Sequence, residues 1–353
     1  MDLGSLQKLL DDPAVSEIMI NGPQKIFVER GGKKVLSDVT FSSEEELLGV
    51  LKKVYEKSGK RLGDDILYSD TCLDDGTRIN VILFPLSRFG ISATLRKFSK
   101  AITGLEDLIK LGTLSQKAAD FLIACTKGRI NILFSGGTGV GKTTLLQGLS
   151  HYFGTGERVI TIEDAAELKI PQENLVSLET KSADRDGKGE VTLRDLIRNA
   201  LRMTPDRIIM GEVRGPEAID MIQAMATGHS GTLGVVHGNS PKDVIARLET
   251  MIMMAGLDLP LSEIRKMIVS TINLIVHVER LQDGNRKVTY ITEIRGIEQE
   301  EVFLNDLFVF DKLKIDENGH VIGELKPCIR YFPTFFPKFQ KMGLLSEKAF
   351  ETK

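Results

Sequence analysis

Apolar and polar positions trade places in short runs over roughly the first hundred residues. Glu17-Ile18-Met19-Ile20 and Lys25-Ile26-Phe27-Val28-Glu29 flank Asn21-Gly22-Pro23, a turn signal, and read as two short strands. From Ser43-Glu44-Glu45-Glu46 the period lengthens. Leu47, Val50, Leu51 and Val54 then recur at helical spacing behind a capping serine. Strand character returns over residues 78–84, after Asp74-Asp75-Gly76, and again over 91–95. Residues 1–97 therefore read as a small mixed domain, a docking or regulatory module with no catalytic group of its own. The polar stretch Arg96-Lys97-Phe98-Ser99-Lys100, followed by Thr103-Gly104, makes 98–105 a linker and 106–353 a second domain.

In the second domain apolar runs at 130–134, 159–162, 207–210 and 233–236 alternate with helical segments, the pattern of an α/β fold with a mostly parallel sheet. Each run opens directly into polar residues or glycine: Ser135-Gly136-Gly137, Glu163-Asp164, Gly211-Glu212 and His237-Gly238-Asn239. Parallel strands present their carboxyl ends along one edge, where open α/β sheets bind ligands. One site along that edge is the expectation. Residues 182–190, SADRDGKGE, are charged with two glycines and read as a mobile loop.

The first strand end carries the sharpest chemistry. Gly136-Gly137-Thr138-Gly139-Val140-Gly141-Lys142-Thr143 fits G-x-x-x-x-G-K-[ST], and the helical run from Thr144 follows it. Glycines let backbone N–H groups close around phosphate oxygens, and the helix N-terminus adds positive potential. In such a loop Lys142 reaches the β- and γ-phosphates while the Thr143 hydroxyl holds Mg²⁺. Glu163 and Asp164 can orient attacking water or hold a magnesium-bound water, or they can simply cap a turn. Glu212 stands where a Walker B acid is expected, although the residue at the strand end itself is Gly211; a surface glutamate before a turn is the plainer reading. His229 and His237 have neither a neighbouring cysteine nor a third histidine to complete a zinc set. Each is a structural imidazole or one that contacts a phosphate and senses its loss. Thr192-Leu193-Arg194-Asp195 opens a capped helix, on which Arg194, Arg198 and Arg202 form a stripe. That stripe is a solvated basic face, or charge for phosphates and a neighbouring subunit.

Composition narrows the classes. With 353 residues, 42% hydrophobic and 27% charged, the chain can bury a core without staples. Its three cysteines are scattered and suit a reducing compartment. No apolar run approaches the roughly 18 residues of a membrane span, so membrane association is expected through a partner. A net charge of -3 gives no global footprint for nucleic acid, so a nucleic-acid partner is not expected.

Taken together, several segments resemble one family. They are Lys188-Gly189-Glu190-Val191-Thr192-Leu193-Arg194-Asp195-Leu196, Ala200-Leu201-Arg202-Met203, Pro205-Asp206-Arg207-Ile208-Ile209-Met210-Gly211-Glu212-Val213-Arg214-Gly215, Gln223-Ala224-Met225-Ala226-Thr227-Gly228-His229 and Arg247-Leu248-Glu249. Ser16-Glu17-Ile18-Met19-Ile20-Asn21-Gly22 and Leu95-Arg96-Lys97-Phe98 join them. The family is the type II/IV secretion ATPases, in particular the tight-adherence pilus (CpaF) branch, and the resemblance runs over nearly the whole chain. It implies a RecA-like ATPase domain behind a PAS-like α+β domain and a homohexamer that uses ATP and Mg²⁺. It further implies a cytoplasmic place beside the inner membrane, against a platform protein of a pilus or secretion system. Glu163 becomes the catalytic glutamate of an Asp box over 161–167, Glu212 the acid of an atypical Walker B over 207–212, and His229 to His237 the His box. Family arginines near the nucleotide or the subunit boundary map onto Arg96, Arg194, Arg202, Arg207 and Arg214. Departures are Thr204 where an arginine is usual, Gly238 where the His box has alanine, and Ser230 where an acid is common.

Overall fold

The structure is a computed structural model that describes residues 4–63, 66–73, 75–97, 104–181, 183, 187–317 and 319–351. Asp74, residues 98–103 of the expected linker, and Ser182 with 184–186 of the expected mobile loop lie outside the described residues. The chain divides into two compact units, Met1–Ala101 and Ile102–Lys353.

In the smaller unit the elements run α1 (Leu6–Asp11), β1 (Val15–Asn21), β2 (Ile26–Arg30), β3 (Lys33–Leu36), α2 (Glu44–Lys57), β4 (Tyr68–Cys72), β5 (Arg78–Ile82) and β6 (Ser92–Arg96). The strands form one antiparallel sheet in the order β3-β2-β1-β6-β5-β4. Ser43 caps α2 by accepting from the Glu46 amide at 3.2 Å, as the serine before three glutamates suggested. The helical period then buries Leu47, Leu51, Val54 and Tyr55 against Ile18, Val28 and Val81 of the sheet. Each side chain so buried contributes on the order of 1.5–3 kcal/mol. The Tyr55 hydroxyl donates to the Ser69 carbonyl at 2.6 Å, so the polar end of this buried ring is satisfied.

The larger unit begins with α3 (Leu105–Lys110) and α4 (Gln116–Lys127), then β7 (Ile132–Gly136), α5 (Lys142–Ser150), β8 (Val159–Glu163), β9 (Leu175–Glu179), α6 (Leu193–Ala200), β10 (Arg207–Val213), α7 (Glu217–Ala226), β11 (Leu233–His237) and α8 (Pro241–Met253). It continues with α9 (Leu261–Thr271), β12 (Leu274–Arg280), β13 (Arg286–Glu298), β14 (Glu301–Ile315), β15 (Val321–Pro327) and α10 (Phe336–Lys341). Nine strands make one sheet, ordered β15-β14-β13-β12-β7-β11-β10-β8-β9. The six from β12 to β9 are parallel, and β13, β14 and β15 extend that sheet antiparallel. Alternation along β7 sorts the helices into two layers. Ile132 and Phe134 pack with Leu145, Leu146 and Leu149 of α5. Leu133 packs on the other face with α7, α8 and α9 through Met221, Leu248 and Ile268. The fold is a mixed α/β one, and it aims the carboxyl ends of β7, β8, β10 and β11 at a common edge.

A candidate phosphate-binding site at the carboxyl edge of the sheet

The loop after β7 is shaped by its neighbour. Gly136 has φ +141°, and a Cβ there would lie 2.1 Å from the Val278 carbonyl oxygen on β12, so only glycine fits. Gly137, Thr138 and Gly139 are exposed, and Val140 tucks into the core. Gly141, in the left-handed region, caps α5. The exposed loop and the start of this nine-residue helix present backbone amides to an anion. Lys142 is buried in the first turn. Its ammonium donates to the carbonyls of Gly136 at 2.9 Å and Gly137 at 2.5 Å. Burial pulls its pKa down to about 8, against the pull of the Glu212 carboxylate and with help from the Arg214 cation. Thr143 and Thr144 follow it in the same turn, partly exposed.

Two carboxylates reach the same edge by different routes. Along β8, Ile160 and Ile162 pack in the α7–α9 layer, so Glu163 falls on the α5 face. It is buried, and its Oε1 accepts from the amides of Glu167 at 3.0 Å and Leu168 at 3.1 Å. Its side chain lies across Gly211, where an added Cβ would sit 2.7 Å from Glu163 Cγ. The missing strand-end aspartate thus has a steric cause: Glu163 occupies the space a side chain at 211 would need. Glu212 is placed by a β-bulge. Met210 pairs with Gly234 and Val213 with Val236, so Gly211 and Glu212 stand against Val235 alone, two residues against one. The bulge leaves both Met210 and Val213 in the α7–α9 layer and turns Glu212 toward Lys142.

Glu212 contacts the Arg214 guanidinium on one side and His237 Nε2 on the other. Burial pushes the Glu212 carboxyl up, but Arg214, His237 and Lys142 outweigh it and hold the group below the usual carboxylate range. His237 ends β11 directly opposite Gly136. Burial, reinforced by the Lys142 and Arg214 cations and opposed by Glu212, lowers its pKa from the ordinary imidazole value. Lys142, Glu212, Arg214 and His237 therefore form one cluster at the phosphate loop.

Other expected residues lie elsewhere. His229 sits before β11, where its Nδ1 faces Thr227 Oγ1 at 3.2 Å and the Ala224 carbonyl at 3.3 Å. The five residues of β11, at about 3.3 Å each, separate it from His237 at the other end of the strand. Within the chain the two imidazoles of the expected His box therefore stand on opposite edges of the sheet. Arg207 is also on the far edge, at the amino end of β10. It is buried, contacts Glu157, donates to the Thr126 carbonyl at 2.9 Å and stacks over Phe153. Arg202 is exposed between α6 and β10, without an ion pair among the described residues. Arg194 and Arg198 both clasp the buried Asp220, at 2.6 and 3.0 Å. Arg194 also lines a cleft of about 340 Å³ with Asp164, Thr180, Glu190 and Glu217. Arg96 ends β6 in the smaller unit, 3.7 Å from Glu17.

Sequence reasoning passed over His277, buried on β12 and 2.8 Å from Ser135 Oγ. The signal was available: one histidine inside the apolar run Leu274-Ile275-Val276-His277-Val278. Among the described residues no group of three or more His, Cys, Asp or Glu is arranged to hold a metal ion. Magnesium is ordinarily held by one or two protein oxygens together with phosphates and waters. The Thr143 hydroxyl with Glu212 or Glu163 fits that demand, and the exposed loop amides with the buried ammonium fit a triphosphate.

Comparison with known proteins places the chain in a family. The family model described as "Type II/IV secretion system protein" matches residues 1–307. A protein of Mycobacterium tuberculosis named for conjugal transfer is 33% identical over 301 residues, 84% of this chain and 85% of its own length. The type IV secretion system protein VirB11 of Bartonella quintana is 31% identical over 330 residues, 82% of this chain and 91% of its own. Among solved structures, the pilus retraction motor PilT with bound ADP aligns over 98% of this chain and 90% of its own, with a TM-score of 0.58 and 18% identity. The ATPase DotB of Legionella pneumophila aligns over 82% and 78%, with a TM-score of 0.57 and 21% identity, a likeness of fold. With the phosphate loop on the same parallel sheet edge as the acids, and the family match spanning both units, the chain belongs to the type II/IV secretion system protein family.

Proposed function

We propose that this chain hydrolyses ATP with Mg²⁺ at the carboxyl edge of its larger sheet and spends the turnover as a motor for pilus assembly or type II/IV secretion. The observation that carries the reading is the gathering of Lys142, Glu212, Arg214 and His237 beside a phosphate loop, with Glu163 at the end of a strand in the same parallel set. In this reading Lys142 exchanges the carbonyls of Gly136 and Gly137 for phosphate oxygens. Backbone amides of Gly137, Thr138, Gly139, Val140 and Gly141 close around them, with Thr143 and Thr144 behind. Bound Mg²⁺ would neutralise charge developing on the phosphate oxygens. Glu163, anchored by two amides, orients the attacking water, and Glu212 holds His237 with its other ring nitrogen turned to the site. Arg214 balances the Glu212 charge.

Lys142→Ala is expected to abolish turnover. Glu163→Gln and Glu212→Gln should each keep nucleotide binding within about twofold while turnover falls by about 10²–10³-fold. Phosphate release and equilibrium binding of ADP check this, and native turnover in a glutamine variant removes that acid from the mechanism.

Further parts of the reading rest on resemblance. The smaller unit is taken as PAS-like over 1–97 and the motor as RecA-like over 106–353, working as a homohexamer on an inner-membrane platform protein, most like the tight-adherence (CpaF) branch. Within a ring, Arg194, Arg202 and His229, which do not join the cluster, and Arg96 of the smaller unit would act across subunit boundaries. The relatives named for conjugal transfer favour a second reading, a motor that moves nucleic acid. DNA-stimulated turnover with a steep salt dependence would select it.

A further inference from the structure

His277 is fully buried on β12, one strand from the phosphate loop on the side away from His237. Val276 and Val278 face the α5 layer, so its imidazole points to the opposite face, level with Ser135. Ser135 is also fully buried and immediately precedes Gly136. Its Oγ lies 2.8 Å from His277 Nδ1. If the hydroxyl donates to Nδ1, the ring proton sits on Nε2.

That nitrogen has no hydrogen-bond partner among the described residues. The nearest acid, Glu279, stands 3.5 Å away, and its Oε1 already accepts from Thr289 at 2.8 Å. The remaining groups around the ring are the Asn239 backbone, Asp243 on α8 and the Lys142 ammonium. Asn239 is two residues beyond His237. Its amide is held by Asp243 at 2.8 Å, so the loop after β11 has a defined shape next to the ring. A single imidazole therefore touches the residue that opens the phosphate loop and faces the loop that follows His237. Unsatisfied buried donors are rare enough to need a reason.

We propose that His277 is a positioning residue for hydrolysis: it holds Ser135 through Nδ1, and its unpartnered Nε2 is available to donate to the Asn239 backbone as nucleotide binds, so that one ring sets the spacing between the phosphate loop and His237. The idea rests on the proposed reading of the site as one that hydrolyses ATP. A leucine at 277 fills the space but can bond to neither side. A glutamine can accept from Ser135 and donate to the Asn239 carbonyl. An asparagine, one methylene shorter, cannot span both.

The test measures steady-state turnover and ADP affinity of the whole chain. His277→Leu is expected to lower kcat by about 10- to 100-fold with ADP affinity within about twofold, as misplacement of reacting groups does. His277→Gln should recover kcat to within about threefold of native, and His277→Asn should stay low. Urea unfolding followed by circular dichroism separates loss of fold from loss of rate. If the leucine variant does not fold, the glutamine and asparagine pair decides the matter. Native kcat in folded His277→Leu overturns the proposal, as does equal impairment or equal activity of the glutamine and asparagine variants. Lys142→Ala, run alongside, keeps the two ideas apart. Hydrolysis surviving in that variant removes the reading of the site itself, whatever the 277 series does.

Discussion

Gly211 and Glu163 show how one residue's identity is set by another across a strand pair. The carboxylate of Glu163 is fixed by two backbone amides and cannot swing aside when Gly211 gains a side chain. Gly211→Ala is therefore expected to push Glu163 off its position. The overpacking costs about 1–3 kcal/mol. Turnover should fall by about 10- to 100-fold with ADP affinity kept. Turnover equal to native in a folded Gly211→Ala protein would show that Glu163 has room to spare. Lys142 carries a second prediction at this scale. Its ammonium has a pKa of about 8, depressed by burial, and phosphate binds the charged form. Below that pH the charge is already present and affinity should be flat. Above it the site must take up a proton on binding, so affinity should fall by up to about tenfold per pH unit. Titration calorimetry of ADP in buffers of different ionisation enthalpy, from about pH 7 to about pH 10, reads both the slope and the proton.

At the scale of elements, the loop between β7 and α5 and the strands that end on its edge were legible because both are local. A motif of eight residues names itself, and parallel strands must end on one edge. The bulge at Gly211-Glu212 was not legible, since it exists only in the register between β10 and β11. Nor was the reason for Gly211, which is a contact with β8. The separation within the His box was hidden for the opposite reason. His229 and His237 are close in sequence, but a whole strand lies between them. Strands β12 to β15 were passed over, although Leu274–Val278 is as apolar as the runs that were placed. Their alternation is plain only once β12 is seen to be parallel to β7 and β13 to turn back on it.

Across the larger unit the proposed reading assigns nucleotide chemistry to one edge of the parallel sheet and stability to the other, and Arg207 tests that division. It has a family arginine's position in the sequence, yet it stands on the edge away from the phosphate loop, fully buried against Glu157, the Thr126 carbonyl and the Phe153 ring. Arg129 reaches Glu157 from the other side at 3.0 Å. Burial pushes the Glu157 carboxyl up, but Arg207 and Arg129 more than offset it and hold the group below its ordinary range. A carboxylate with a depressed pKa contributes stability above its unfolded value, and that stability is lost as pH falls through the folded one. Removing Arg207 leaves a partly buried carboxylate with one partner, a change that costs about 3–5 kcal/mol for a buried pair. Arg207→Met should thus unfold at lower urea and show a shallower loss of stability below about pH 4.5, since part of the Glu157 shift is gone. The chain has no tryptophan, so circular dichroism is the probe for that transition. Turnover per folded molecule should stay close to native because the phosphate loop is on the other edge. An arginine that contacts the transferring phosphate would give the reverse result, native stability with turnover lost by about 10³-fold or more, and would place Arg207 in a neighbour's site.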